Sequence, residues 1–318
     1  MFMAVQSSLP NHILSSFSAL SLILFQSISH LKSHLPIFAS IFLVLSLPLS
    51  LLFSSLISSS RPMQSRILLL QALSVHSSTA FEAWEMWHHA RDHAISLFRL
   101  KLCYLLPCAV LSLATAVTTV SSIAASLGHR PISIISSLKG NWLAAFATSI
   151  CNYAILFAYS CVPKSMAIML GGGAAGVALW GIGLGFEWYF TSVMNMSLVI
   201  SITDNIAGWD AIVAASDAME GNRICGFLLA VLMELCGGIA VWRMGRSLED
   251  NKKAIWTRAS GWEVVEGKVQ MGWWELPSMV VLYAILVVLG FIVSTVFYFE
   301  CKKRQIICRD ESVEVQNL

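Results

Sequence analysis

Long hydrophobic runs alternate with shorter polar segments along the whole chain. An α-helix needs about 20 consecutive apolar residues to cross roughly 30 Å of hydrocarbon, and a run of that length is too long for a barrel strand. Six runs meet this length: 35–57, 100–127, 141–162, 165–202, 223–242 and 277–299. The pattern therefore predicts an all-α, polytopic membrane protein with about six transmembrane helices.

Some segments between these runs keep a helical spacing of apolar residues but are too polar to cross a bilayer. A helix with one apolar and one polar face beside a membrane normally lies in the interface. Asp210 and Asp217 are predicted on the wet face of one such helix. The interfacial segments are an N-terminal amphipathic leader (1–34), a connector (63–98) and two shorter stretches (131–139 and 209–221). The other polar segments are a loop (243–276) and a C-terminal tail (301–318).

A weak threefold internal repeat accompanies the runs. SSLKGNWL at 136–143 precedes the third run, and DAMEGNRI at 217–224 precedes the fifth. SHLKSHLP at 29–36 is a fainter copy before the first run. The implied unit is an interfacial helix, a turn and two spans. Internal repeats are common in transporters, and a duplicated membrane scaffold would show the same pattern.

Composition supports membrane insertion and narrows the functional classes. The 318 residues are 57% hydrophobic and 12% charged, whereas soluble domains contain about 25% charged residues. A formal net charge of +2 offers no basic surface for nucleic acid. None of the eight cysteines forms a C-x-x-C pair, which argues against a disulfide framework or a zinc site. We expect no cofactor, and we expect the partners to be the lipid bilayer and other membrane proteins.

The charge pattern leaves the membrane and its sidedness open. Six spans place both termini on one side, which holds 8 of the 20 Lys and Arg residues, against 12 on the other. The KKR run at 302–304, directly after the last hydrophobic run, favours cytoplasmic termini. A serine-rich start with no acid before Glu82 resembles a transit peptide. That resemblance supports an organellar envelope as the alternative location. The plasma membrane or an endomembrane is favoured.

The densest group of metal-ligand residue types lies at 81–93. Glu85, His89 and His93 recur at i, i+4 and i+8 on one helical face, and Glu85 with His88 has the E-x-x-H spacing of di-iron bundles. The chain has no second E-x-x-H and no H-E-x-x-H. An amphipathic helix at the headgroups is the favoured interpretation, and a metal site is the alternative.

Four polar residues interrupt the hydrophobic runs. Glu234 lies near the centre of the fifth run, Glu187 and Asn195 in the fourth, and Asn152 in the third. Ionisable residues at such depth are costly and count as functional candidates. The four could bind a proton or cation between helices, or they could hydrogen-bond the helices together. The second interpretation is favoured.

The glycine-rich stretch GGGAAGVALWGIGLG at 171–185 is not a nucleotide site, because no strand precedes it and no G-K-[ST] follows. Gly172 with Gly176, and Gly181 with Gly185, have the small-x-x-x-small spacing that lets membrane helices approach closely. These four glycines are predicted to mediate helix packing.

Two cysteines flank the basic end of the last hydrophobic run. Cys301 and Cys308 are juxtamembrane residues, and such cysteines are candidates for S-palmitoylation. An unmodified thiol is the favoured alternative.

The segment 201–227 contains an acid, then Gly four residues on, Ala three after that, and a stretch with Ser, Met and Gly. These positions are Asp204, Gly208, Ala211, Ser216, Met219 and Gly221. The order resembles a family of uncharacterised plant multipass membrane proteins, whose members end this motif with a Ser-x-x-Leu-x-Lys-Gly-like stretch. Asp204 stands where Glu is usual, and Glu220 where a basic residue is usual. The resemblance implies a membrane location and a multipass fold, and it implies no activity.

These features favour a non-enzymatic protein that organises membranes or partner proteins, or assists trafficking. A transporter or channel-like protein using Glu234 is the first alternative. A metal-dependent membrane enzyme using Glu85, His89 and His93 is the second.

Overall fold

The computed structural model is α-helical, and no strand occurs in the part of the chain that it describes. It describes the backbone of residues 2–76, 79–127, 142–169, 174–260 and 275–316, and the side chains of 18–74, 76, 79–127, 142–159, 176–178, 181–247 and 276–306. The helices are α1 (Phe2–Ser33), α2 (Leu35–Ile41), α3 (Leu47–His76), α4 (Ala80–Leu127), α5 (Trp142–Met169), α6 (Ala174–Asp204), α7 (Trp209–Ala218), α8 (Arg223–Ser260) and α9 (Glu275–Gln316), and a π-helical turn covers Phe42–Ser46.

Among the described residues, five helical segments are long and apolar enough to cross a membrane. They are Leu35–Ser74, Ala80–Leu127, Trp142–Tyr159, Arg223–Ser247 and Leu276–Ile306. A sixth arises if Gly176–Asp204 and Trp209–Ala218, bent by 108°, count as one broken span. The predicted all-α class is confirmed, and five or six such helices agree with the predicted number of about six.

The helices around the predicted connector at 63–98 are longer than the hydrophobic runs. α3 continues through Pro62 to His76, and α4 is uninterrupted from Ala80 to Leu127. The backbone N–H of Glu82 donates to Thr79 Oγ1 at 3.3 Å, which caps the start of α4. The connector is therefore continuous with the spanning helices. Polarity marks where a helix leaves the apolar layer, whereas caps and helix breakers mark where it ends.

The first span is irregular near Pro48. The π-helical turn Phe42–Ser46 directly precedes Pro48 in the first turn of α3. Proline lacks the N–H that would bond the carbonyl four residues earlier, and π-helical turns are a known cause of helix bending. The irregularity therefore lies one turn before the proline.

Other helix ends also differ from the predicted boundaries. α5 runs to Met169 and α6 begins at Ala174, so the start of the predicted fourth span at 165 belongs to α5. α8 continues to Ser260 into the predicted polar loop, and α9 continues to Gln316 into the predicted tail. Charged residues such as Glu and Lys are good helix formers, so they do not stop these helices. The predicted segment 131–139, residues 136–141 of the repeat and residues 261–274 of the loop lie outside the described residues.

The N-terminal leader forms α1, with Ile23 and Ser27 on its buried face. Ile28, on the same helix, is exposed. Ser27 Oγ donates to the carbonyl oxygen of Ile23 at 2.7 Å, which satisfies the buried hydroxyl within the helix.

The chain divides into two compact units. The first comprises Met1–Ile41, Leu113–Cys236 and Leu286–Leu318. Its core contains Val117, Val120 and Ile292, none of which is accessible to solvent. This unit contains α6, the break after it, and α7.

The second unit comprises Phe42–Ser112 and Gly237–Ile285. Ser46 Oγ donates to the carbonyl oxygen of Ala284 at 2.7 Å, and the rings of Phe53 and Tyr283 stack with centroids 5.0 Å apart. The Arg61 guanidinium lies directly over Gly245, where a Cβ atom would overlap it. These contacts join α3 to α8 and α9 within the unit.

Candidate functional site at the break between two helices

The helical path turns sharply after Asp204. α6 ends at Asp204, α7 begins at Trp209, and their axes differ by 108°. Asn205 has a φ of 58° and Gly208 a φ of 67°, both in the left-handed region. Asparagine is enriched there among non-glycine residues, and glycine adopts it without steric cost. The two residues therefore allow the turn, and the glycine matches the Gly of the predicted motif.

Asp204 forms a closed polar cluster with two residues of α9. Tyr298 Oη donates to Asp204 Oδ2 at 2.6 Å, and Lys302 Nζ donates to Asp204 Oδ1 and Oδ2 at 3.0 and 3.2 Å. Lys302 Nζ also lies 2.9 Å from Tyr298 Oη. The C-terminal end of a helix carries a partial negative charge, so a carboxylate there is unfavourable without a cation. Lys302 supplies that cation.

The cluster lies at the boundary between buried and accessible surface. The Tyr298 residue is only 3% exposed, whereas the Asp204 and Lys302 side chains are 34% and 46% exposed. The phenol therefore donates from the interior, while the ammonium approaches from the wet side. We call these three residues the Asp204 cluster.

A second set of hydrogen bonds holds the break against α5. The Gly208 backbone N–H donates to Thr148 Oγ1 at 2.9 Å, and Thr148 Oγ1 donates to Ser201 Oγ at 3.0 Å. Thr148 and Ser201 are fully buried. Because a buried, unpaired amide costs about 1–3 kcal/mol, Thr148 has a structural role at this turn.

Helix α7 and its C-cap residue, Met219, pack through one face. Ala211, Ala215 and Met219 are fully buried, while Asp210 and Asp217 are exposed as predicted. The structure assigns Gly208 as the N-cap, with no side-chain capping bond. Among the motif residues, Ser216 is half-buried, and Gly221 has a φ of 84° in the turn that follows α7.

The turn after α7 is bonded to α9. Arg304 Nη1 donates to Asn222 Oδ1 at 2.9 Å, and Gln305 Nε2 donates to the carbonyl oxygen of Asp217 at 3.2 Å. Asn222 Nδ2 lies 3.8 Å from Cys301 Sγ. Cys301 is 1% exposed, whereas S-palmitoylation, the less favoured alternative for this residue, requires an accessible thiol. The Cys308 side chain lies outside the described residues.

The predicted intramembrane polar site is not assembled. Asn152 is buried between α5 and α6, where its Nδ2 donates to the Met194 carbonyl oxygen at 3.1 Å and to Ser197 Oγ at 3.2 Å. Asn195 and Glu234 are exposed. Glu187 lies close enough to Glu234 for their carboxyl groups to interact electrostatically. The four residues therefore do not converge on one site, and Asn152 bonds helices together.

The predicted metal ligands also do not converge. Glu85 and His89 are exposed and His93 is half-buried. His88, one residue earlier, pairs with Asp92 through Nδ1 and Oδ2 at 3.5 Å. Among the described residues, no group of three or more His, Cys, Asp or Glu side chains is arranged to hold a metal ion.

Close helix packing occurs at a glycine that was not predicted. Gly181 and Gly185 have no atom within 4 Å of the position where a Cβ would stand, whereas at Gly226 a Cβ would overlap the methyl group of Met219. Ser192 Oγ donates to the Gly226 carbonyl oxygen at 2.9 Å. Gly176 is buried, and Gly172 lies outside the described residues. The small-x-x-x-small spacing of Gly226 with Ala230 was the available signal for this contact.

The Asp204 cluster was only partly visible in the sequence. Asp204 belongs to the predicted motif, but Tyr298 and Lys302 were not singled out. Their signal is the i, i+4 spacing of a phenol and an ammonium on one helix face, together with an acid at a helix C-terminus that requires a cation.

Comparison with known proteins identifies one family. A family model described as "Domain of unknown function (DUF8558)" matches residues 15–315. No curated protein and no solved structure matches the chain.

Proposed function

We propose that this chain, which belongs to the DUF8558 family, is a multi-pass integral membrane protein that acts through contacts with lipids and other membrane proteins. It would organise membrane or partner proteins, or assist their trafficking, without catalysing a reaction. The membrane role is supported by the five or six helices, within the described part of the chain, that are long and apolar enough to span a bilayer.

The proposal rests on the hydrogen bonds that the polar groups between the helices make. The Asp204 cluster, Thr148 and Asn152 bind other parts of the same chain. Within the described residues, Thr119 Oγ1 is the one buried side-chain polar atom without a hydrogen-bond partner. A ligand or catalytic site normally offers a few convergent polar groups to its ligand. Polar groups that are already bonded to one another instead favour a structural role for the bundle.

The outer face of α7 offers a surface for partners. Trp209 and Val213, one helical turn apart, are 64% and 44% exposed, beside the exposed Asp210 and Asp217. Aromatic residues are enriched in protein interfaces and at the membrane boundary. The face therefore combines an apolar anchor with acids that can bind basic groups.

Proximity labelling tests this role in cells. We expect the double variant Trp209→Ser/Val213→Ser to lose part of the labelled partner set while remaining inserted, because both side chains point away from the core. Phe81→Ser, which changes another exposed aromatic residue, is the matched control. An unchanged partner set and localisation in the double variant would contradict the proposal.

Six spans and cytoplasmic termini are part of the same proposal. Tags at both termini, probed by protease protection, should lie together on the cytoplasmic side, because an even number of spans returns the chain to its starting side. Tags on opposite sides would indicate five spans instead.

A fluorescent fusion distinguishes the plasma membrane or endomembranes, which we favour, from an organellar envelope. Membership of the plant multipass family remains a proposal that rests on the motif around Asp204.

A transporter is the second candidate, and the broken helix favours it. Discontinuous helices place charged helix ends at the ion and substrate sites of transporters, and here an acid ends α6 at the break. The candidate residue is Asp204, since it ends α6 at the break, whereas Glu234 lies within the continuous helix α8. In proteoliposomes, Asp204→Asn should abolish a cation flux that Glu234→Gln leaves intact. No flux in the wild-type protein removes this candidate.

A further inference from the structure

A groove of about 530 Å³ lies between α6 and α8, in the range of small-molecule sites. Its lining residues are Ile182, Gly185, Phe186, Tyr189, Arg223 and Phe227. The α6 residues follow at intervals of three and four, so they form one helix face. We call this feature the α6–α8 groove.

The groove is open on its outer side and has room for a hydrocarbon chain. Ile182 and Phe186 are 60% and 55% exposed. A Cβ at Gly185 would meet no atom within 4 Å, so the missing side chain leaves a depression between apolar walls. In a bilayer, such a depression is filled by an acyl chain, because an empty apolar space forfeits its dispersion contacts.

Arg223 gives the groove a specific charge. It is the first residue of α8 and of the membrane-spanning segment Arg223–Ser247, which places it at the depth of the lipid headgroups. It is exposed, and no carboxylate of the described residues forms an ion pair with it. A guanidinium presents its N–H groups in a fork that matches the oxygens of a phosphate. Among the lining residues, Arg223 carries the charge.

We propose that the α6–α8 groove binds an anionic phospholipid. The phosphate would lie on Arg223, and one acyl chain would lie over Gly185, between the rings of Phe186 and Phe227. This inference rests on the membrane insertion in the proposed function, and it names the lipid class that the protein would hold.

Native mass spectrometry of the purified, full-length protein tests the site with two lipids of identical acyl chains, phosphatidylglycerol and phosphatidylcholine. One basic residue near a membrane surface contributes about 1 kcal/mol, which is about a fivefold preference for the anionic lipid. We expect Arg223→Gln to remove this preference. The exposed Arg99 provides a matched control, since Arg99→Gln should retain it.

A second variant separates the acyl-chain contact from the charge. Gly185→Leu should weaken the binding of both lipids severalfold, because the leucine side chain fills the groove and there is open space around its Cβ. Gly238→Leu is the control, since it too has no atom within 4 Å of its Cβ position but lies outside the groove.

Three results would overturn the inference: an unchanged preference in Arg223→Gln, unchanged binding in Gly185→Leu, or full displacement of phosphatidylglycerol by excess inorganic phosphate. The last result would indicate a site for a free anion. Carbonate extraction of the same proteins tests insertion separately. A wild-type protein that is extracted contradicts the proposed function, whereas an inserted protein without lipid preference contradicts only the groove.

Discussion

The Asp204 cluster provides the sharpest test of how the bundle is held together. Two substitutions remove its donors separately while preserving most of each side chain's volume. Tyr298→Phe removes the phenol that lies 2.6 Å from Asp204 Oδ2, and Lys302→Met removes the ammonium that lies 3.0 Å from Oδ1. Both partners lie on α9, so the change is confined to one helix contact.

The burial of the two donors decides which loss is larger. A hydrogen bond to a charged group contributes about 1.5–3 kcal/mol, and bonds between membrane helices about 0.6 kcal/mol on average with a maximum near 1.7. Tyr298 is almost fully buried, so we expect Tyr298→Phe to cost about 1.5 kcal/mol. An exposed ion pair contributes about 0.2–1 kcal/mol. Lys302 and Asp204 are partly exposed, so we expect Lys302→Met to cost about 0.5–1 kcal/mol.

The free energy of unfolding is measured by SDS titration in mixed micelles, with helicity followed by far-ultraviolet circular dichroism. Tyr189→Phe is the matched control, because its hydroxyl makes no hydrogen bond to another described residue. The double variant tests coupling: since both donors share Asp204, the two costs should not add. Added salt should reduce the effect of Lys302→Met and leave that of Tyr298→Phe nearly unchanged.

The ranking is what the reasoning depends on. If Lys302→Met costs more than Tyr298→Phe, then the exposed ion pair, and not the buried phenol, holds the helices. If the two costs add fully, the three groups do not act as one cluster. A cost for Tyr298→Phe equal to that of Tyr189→Phe would remove the assigned role of Tyr298.

Three further outcomes follow from the packing. Gly238→Ala should stabilise the protein by about 0.5–1 kcal/mol, because alanine favours a helix and the site is open. Gly245→Ala should not stabilise it, since the new Cβ would overlap an arginine side chain. Equal effects of the two variants in thermal unfolding would contradict this packing. Asn152→Ala should lower the free energy of unfolding by about 1–2 kcal/mol through lost buried hydrogen bonds, and Asn195→Ala by less than about 0.5 kcal/mol. The reverse order in SDS titration would show that α6 is rotated. Cys301 should resist maleimide in the folded protein and react after SDS unfolding, and rapid labelling before unfolding would show that its thiol is accessible.

The membrane-spanning pattern could be predicted from the sequence because each apolar residue contributes to it locally. Helix ends could not be predicted in the same way. α4 continues from Ala80 to Leu127 although its sequence changes from polar to apolar, and α8 continues to Ser260 although its sequence changes from apolar to polar. Polarity reports the environment of a residue, and the backbone can remain helical in either environment.

The rotation of each helix about its own axis also could not be predicted from the sequence. A helix that is apolar on all sides has no preferred face in its sequence, so the sequence could not tell that Asn152 faces a neighbour and Asn195 faces outward. The Asp204 cluster was missed for a related reason. Its members pair across 94 and 98 residues of sequence, and no local pattern reports such a pairing.

That separation has a consequence for biosynthesis. Chains are made at about 5–20 residues per second, so roughly 5–20 s pass between the synthesis of Asp204 and that of Tyr298, 94 residues later. During that interval α6 ends in a carboxylate without its cation, and the nascent bundle has no partner for it. The synthesis of α9 therefore supplies the last hydrogen-bond donors for Asp204 at the break. A ribosome stalled before Tyr298 would hold a chain in which Asp204 still lacks both of its α9 donors.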